Sequence, residues 1–89
     1  SDAPGAPGEQ AAVRALFVRA DKALSLGLPH AVLGSLQTVA MEHPDVTLRT
    51  EAAERFSRAA LQAGRPAEAI MVLQNVPSSL RTEFWRAQA

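Results

Sequence analysis

Residues 64–77 read GRPAEAIMVLQNVP, and residues 27–39 read GLPHAVLGSLQTV. Both stretches carry a glycine, a proline two positions later, and a Leu-Gln pair followed by a valine. The glycine ends a helix because it adopts the left-handed conformation without a side-chain penalty. The proline begins the next helix, where its missing N–H is not needed. Each stretch therefore predicts the turn of a helical hairpin.

The similarity extends beyond the turn at a constant shift of 37 residues. The matching pairs are Ala15 and Ala52, Ala23 and Ala60, Leu24 and Leu61, Gly27 and Gly64, Pro29 and Pro66, Leu36 and Leu73, Gln37 and Gln74, and Val39 and Val76. They fall on turn residues and apolar positions, where a helical hairpin is constrained. The internal repeat predicts two antiparallel hairpins followed by the start of a third.

Apolar residues spaced three and four apart predict the helices and the faces that they bury. The predicted helices are 9–26, a second that begins at Pro29 and ends before His43, 46–63, 66–76 and 80–89. The predicted core residues are Val13, Leu16, Phe17, Ala20, Ala23, Leu24, Val32, Leu33, Leu36, Val39, Ala40, Leu48, Ala52, Phe56, Ala59, Ala60, Ala63, Ala69, Ile70, Leu73, Val76, Leu80 and Phe84. No stretch shows the alternation of a strand, so the predicted fold class is all-α.

Local signals set the helix ends and the domain boundary. Asp45 or Thr47 is the predicted N-cap of the third helix, and His43, which precedes a proline, is expected to leave helical geometry. Residues 1–8 contain prolines and glycines but no large apolar side chain, which predicts a flexible linker or chain-end tail. Residues 9–89 are then one helical repeat domain.

The repeat resembles the tetratricopeptide repeat (TPR) over residues 13–86. The residues that carry the resemblance are Gly27, Val32, Leu36, Val39 and Pro44 in the first copy, Gly64, Ala69, Leu73 and Val76 in the second, and Ala20 and Ser57 at the helix crossings. Arg19 and Arg81 depart from the family pattern, and the repeat is longer than the family's usual length of about 34 residues. The resemblance implies a TPR-like α–α superhelix that binds other proteins.

Composition excludes several classes of function. The formal net charge is zero and the pI is about 6.7, which argues against a nucleic-acid-binding surface. The chain has no cysteine, and no apolar run approaches the roughly 20 residues that a membrane helix needs. The sequence predicts no direct membrane insertion, and it is equally compatible with a cytoplasmic and a periplasmic location.

No motif for catalysis, a cofactor or a metal is present in the sequence. The only histidines, His30 and His43, have no further ligand at zinc-binding spacing. No serine lies in a glycine elbow, and no glycine-rich phosphate loop follows a strand. Met41 and Met71 are interpreted as core or hairpin-edge residues. We therefore expect a non-enzymatic protein without a cofactor or a metal.

The resemblance implies that the first helix of each hairpin lines a concave groove. The residues expected to face a partner are Arg14, Phe17, Asp21, Leu24 and Ser25 from the first copy, and Glu51, Glu54, Arg58, Leu61 and Gln62 from the second. Within the third helix, Glu51 and Arg55 are expected to pair, as are Glu54 and Arg58. Trp85 is either a further contact residue or a cap at the end of the repeats.

These features favour a protein-interaction scaffold module that binds a peptide or helix, in an assembly or secretion complex by analogy of fold. An alternative hypothesis is a homo-oligomerisation module that stacks through its terminal helix faces. A helix-turn-helix nucleic-acid binder is a third hypothesis, which the neutral charge disfavours.

Overall fold

The computed structural model describes residues 7–77 of the 89-residue chain. Its helices are α1 (Pro7–Ser25), α2 (Leu33–Glu42), α3 (Val46–Gln62) and α4 (Pro66–Leu73), with a short 3₁₀ turn at Pro29–Ala31. No strand occurs within this range, which confirms the all-α class. The fifth predicted helix, 80–89, lies outside the described residues.

The two hairpin turns have the same geometry. Gly27 and Gly64 have φ angles of 71° and 74°, in the left-handed region. After each glycine, a backbone N–H donates to the carbonyl oxygen of a residue five positions earlier, from Leu28 to Ala23 at 2.9 Å and from Arg65 to Ala60 at 2.7 Å. These bonds close the last turn of each first helix, so the predicted repeat of the turn is confirmed.

The helix starts follow the sequence in part. Asp45 caps α3, because its Oδ1 accepts hydrogen bonds from the N–H groups of Thr47 and Leu48 at 2.8 and 3.3 Å. Pro66 begins α4 directly, as predicted, whereas Pro29 begins only the 3₁₀ turn. Residues 7 and 8 are already part of α1, although the division of the chain into a linker and a domain stays a prediction.

Helix α3 is central and packs against α1, α2 and α4. Its alanines at positions 52, 53, 59 and 60 and the hydroxyl-bearing Ser57 are fully buried, so neighbouring helices approach it closely. Ser57 donates a hydrogen bond to the carbonyl oxygen of Ala53 at 2.8 Å, which satisfies its buried hydroxyl. Larger side chains then fill the remaining space, with Phe56 and Leu36 at most 1% exposed.

Most predicted core residues in the described range are buried, and Ile70 is the clear exception. Its side chain is 55% exposed, whereas Val72, which was not predicted, is 1% exposed. The repeat equivalent of Ile70 is Leu33 on α2, which packs against helices on both sides. Leu33 is covered because α3 follows α2 and packs beside it. Among the described residues, no helix follows α4 to cover Ile70 in the same way. Four helices are too few to define a superhelix, so the TPR-like arrangement stays a prediction.

Candidate protein-binding face

The side-by-side helices α1 and α3 form a shared surface, here named the α1–α3 face, which contains the predicted contact residues. Arg14 on α1 and Glu51 on α3 pair across it, with Nη1 and Oε2 2.7 Å apart. These two residues are one repeat apart in the sequence. Equivalent positions of stacked hairpins lie next to each other, which explains why this pair forms.

A second ion pair lies further along the same face. The Nε and Nη2 atoms of Arg55 donate to the two carboxylate oxygens of Asp21, at 3.0 and 3.3 Å. The same guanidinium lies over the ring of Phe17, with Cζ 4.4 Å from the ring centroid. Phe17 is only 3% exposed, so its ring supports the face from below and leaves little surface for a partner.

A third contact joins the two helices near their carboxyl ends. Gln62 Nε2 donates to the carbonyl oxygen of Leu24 at 3.0 Å. Together with the two ion pairs, this bond ties α1 to α3 along their length. The polar groups of Arg14, Asp21 and Gln62 are therefore already engaged within the chain.

The intrahelical ion pairs expected within α3 do not form. The carboxylate of Glu51 binds Arg14 on the neighbouring helix, and the guanidinium of Arg55 binds Asp21. An exposed intrahelical pair stabilises a helix by only about 0.2–0.5 kcal/mol, so a partner on another helix competes easily. Arg55 was not predicted as part of the face. The repeat equivalent of Arg55 is Val18, and Asp21 lies about one helical turn from Val18. The opposite charge of Asp21 was therefore the signal in the sequence for this ion pair.

Other predicted contact residues remain accessible along α3. Leu61 is 52% exposed, Arg58 is exposed, and Glu54 is half-buried. Neither charged residue forms an ion pair with another described residue. The repeat equivalent of Leu61, Leu24, is half-buried and packs against the core. The exposed Ser25 uses its hydroxyl in a bond to the carbonyl oxygen of Lys22, and Trp85 lies outside the described residues.

The two histidines differ in their surroundings. His30 is exposed, whereas His43 is 5% exposed and accepts a hydrogen bond at Nδ1 from the N–H of Asp45, at 3.0 Å. Its Nε2 lies 3.4 Å from Glu9 Oε1. Among residues 7–77, no cluster of three or more potential ligands could hold a metal ion. None of the helices described is long and apolar enough to cross a membrane.

A family model described as "Bacterial transcriptional activator domain" matches residues 5–86, which is nearly the whole chain. The chain belongs to this family. The match includes every described residue of the α1–α3 face and also the segment that contains Trp85. Searches of curated proteins and of solved structures gave no significant match.

The description of the matched family names a biological process that the sequence did not predict. That process is transcription, whereas the analogy of fold favoured an assembly or secretion complex. A domain of transcriptional activators also leaves the expected exclusion of nucleic acid without support. The helical fold is in agreement with the expectation from the sequence.

Proposed function

We propose that this activator-domain chain is a non-enzymatic protein-interaction module that binds a peptide or helix of a partner protein on the α1–α3 face. The observation that supports it best is the difference between the middle of the face and its carboxyl end. Near the middle, charged side chains are paired with each other. At the carboxyl end, the exposed Leu61 lies near Arg58, which forms no ion pair with another described residue.

Leu61 is the proposed apolar anchor of this contact. It is 52% exposed, while the leucine at the equivalent position, Leu24, is half-buried. Arg58 and Glu54 lie three and seven residues before it, on the same side of α3. An apolar contact surrounded by charges of both signs suits a peptide or an amphipathic helix. The proposed contact therefore combines burial of Leu61 with ion pairs at its rim.

A pull-down with the full chain as bait tests this proposal. Partners bound by the wild type are expected to be lost from a double variant with Arg58→Glu and Leu61→Ala. The matched control is Lys22→Glu with Leu26→Ala, at the end of α1 and off this face, where Leu26 is 60% exposed. Partners retained by the control and lost from the test variant support the face. Equal recovery of every partner by both variants would refute it.

The charges of this chain suit contact with a protein better than contact with DNA. Positive and negative residues balance in the sequence, and the arginines at positions 14 and 55 are paired with carboxylates. Binding of DNA phosphates requires free basic groups. An electrophoretic mobility-shift assay at low salt is expected to show no retardation of random duplex DNA. A retarded band that disappears with added salt would instead favour the nucleic-acid hypothesis.

Self-assembly is the second candidate function, and exposed side chains on α4 favour it. Ile70 and Met71 are 55% and 56% exposed. Two such neighbours on the last described helix are suited to contact with another copy. Light scattering of the full chain over a dilution series separates the candidates. A monomer at all concentrations excludes self-assembly, whereas a dimer lost on substitution of Ile70→Lys supports it.

A further inference from the structure

A groove of about 360 Å³ runs between α1 and α2, on a different side of α1 from the α1–α3 face. Its floor and walls are mostly apolar or small, and they include Ala12, Val13, Leu16, Ser35, Thr38 and Val39. This surface is named the α1–α2 groove. A smaller cavity of about 230 Å³ continues it past Glu42 to His43.

The second hairpin has an equivalent surface, and there it is covered. The residues 37 positions after Leu16, Ser35 and Val39 are Ala53, Val72 and Val76. All three are at most 5% exposed. Since Ser35 is exposed and Val72 is not, the same position of the repeat is open in the first hairpin and closed in the second.

Helix α2 packs against both helices of the second hairpin, α3 and α4. Asn75 Nδ2 donates to the carbonyl oxygen of Ala40 at 3.1 Å, which holds the end of α4 against the end of α2. Arg49 Nη1 donates to the carbonyl oxygen of His43 at 3.0 Å, which holds the beginning of α3 there as well. The chain thus shows how this type of groove is filled, by a helix antiparallel to the first helix of the hairpin.

We propose that the α1–α2 groove binds one α-helix of a partner protein, packed on the first hairpin as α2 packs on the second. This helix runs antiparallel to α1. Its buried face resembles that of α2, with apolar residues at the spacing of Leu33 and Leu36 and a small residue at the position of Ala40. The groove is separate from the α1–α3 face, so each surface can be tested without the other.

Charges at the two ends of the groove specify the partner further. Glu9 lies at one end, with Glu42 in the adjoining cavity. Arg19 lies towards the other end, where the second hairpin has the buried Phe56, and it forms no ion pair with a described residue. An antiparallel helix places its carboxyl end near Glu9. The partner helix therefore carries basic residues in its last turn and an acidic residue in its first turn, an arrangement that its own dipole also favours.

A second copy of this chain fits the groove less well. The α2 face that matches the groove is already buried against its own α3, as the 0% exposure of Leu36 shows. The other candidate, α4, has Glu68 in its first turn but no basic residue in its last turn. It therefore lacks the charge that would face Glu9.

A synthetic helical peptide tests the proposal. The probe has the sequence of residues 29–43, with glutamate added to the first turn, lysine added to the last turn, and a lactam bridge because short isolated helices are marginal. Fluorescence anisotropy with the full chain is expected to show saturable binding. Ala12→Arg, inside the groove, should weaken binding about tenfold or more, since it fills the site with a buried charge. Ala11→Arg, an exposed neighbour outside the groove, is the control and should leave binding unchanged.

A charge exchange tests the direction of the bound helix. Arg19→Glu is expected to weaken binding of the probe about fivefold, and a probe with lysine in place of the first-turn glutamate should restore it. Urea unfolding of each variant checks that it is folded. The proposal would be overturned if the folded wild type did not bind the probe at about 1 mM, which is the limit of weak affinity. Equal effects of Ala12→Arg and Ala11→Arg would overturn it as well. A dimer of the full chain that Ala12→Arg dissociates would assign the groove to a second copy and overturn it too.

Discussion

The contact of Arg55 with Asp21 and Phe17 is expected to contribute measurably to stability, because it joins the first helices of the two hairpins. Arg55→Met keeps the apolar stem of the side chain and removes the guanidinium, while Asp21→Asn removes only the acceptor charge. The Asp21 side chain is 56% exposed and that of Arg55 is 20% exposed, so solvent screens the ion pair in part.

The magnitudes follow from the geometry of the contact. A partly exposed ion pair contributes about 0.2–1 kcal/mol, and two-point contact places this one towards the upper value. The guanidinium over the Phe17 ring adds about 0.5–1 kcal/mol. Arg55→Met is therefore expected to lower the free energy of unfolding by about 1–2 kcal/mol, and Asp21→Asn by about 0.5 kcal/mol. Their coupling energy should be about 0.5 kcal/mol.

Urea unfolding followed by circular dichroism measures these differences in a double-mutant cycle. For a domain of this size, a loss of 1 kcal/mol lowers Tm by roughly 4–8 °C. The effect of Asp21→Asn should shrink in about 1 M NaCl, where charges are screened within roughly 3 Å, whereas the ring contact should persist. Arg58→Met on the same helix is the control and should change stability little. Equal effects of Arg55→Met and Arg58→Met, with no coupling to Asp21, would refute this description of the face.

Five further substitutions test the turns, the cap of α3 and the two sides of α4. Gly64→Ala should destabilise the chain by about 1 kcal/mol because φ is positive there, whereas Gly34→Ala, inside α2, should stabilise it by about 0.5–1 kcal/mol. An added Cβ meets no atom within 4 Å at either site, so the difference comes from the backbone alone. Thermal melts in which both substitutions shift Tm in the same direction would contradict the turn geometry. Asp45→Ala should lower the free energy of unfolding by about 1 kcal/mol in urea, and no change would mean that the cap of α3 is dispensable. Val72→Ala should lower Tm well beyond the effect of Ile70→Ala, because the side chain of Val72 is buried and that of Ile70 is exposed. A larger effect of Ile70→Ala would instead support the sequence prediction that Ile70 is the core residue.

The features that sequence predicted best are those set by neighbouring residues. Gly27 and Gly64 end their helices in the left-handed conformation, and Asp45 caps α3. Each of these depends on the conformational preference of one residue or on a hydrogen bond within three positions. The 37-residue repeat then located both turns from a single comparison of the chain with itself.

Features that depend on which helix lies alongside were harder to predict. Ile70 and Leu33 occupy equivalent positions in the repeat, yet their exposures are 55% and 7%. Periodicity identifies the sides of a helix that can be buried, but it does not say whether a neighbour covers each side. The ends of the described repeats, at α1 and α4, are where this distinction matters.

Ion pairs across the α1–α3 face were missed for a similar reason. Glu51 was assigned to Arg55 on its own helix, although Arg14 lies one full repeat earlier and carries the opposite charge. Stacking brings equivalent positions together, so the repeat itself contained this signal. The link to transcription that the family description gives had no comparable signal, because no single motif or charge pattern in the sequence indicates it.

The side-by-side packing of the two hairpins is the claim from which both proposed surfaces follow. Nuclear Overhauser spectroscopy of the full chain tests it most directly at the ring of Phe17. We predict cross-peaks between the ring protons of Phe17 on α1 and the side-chain protons of Arg55 on α3, with the arginine signals shifted upfield by the ring. Helical chemical shifts in both segments, without those cross-peaks or that shift, would contradict the packing of α1 against α3.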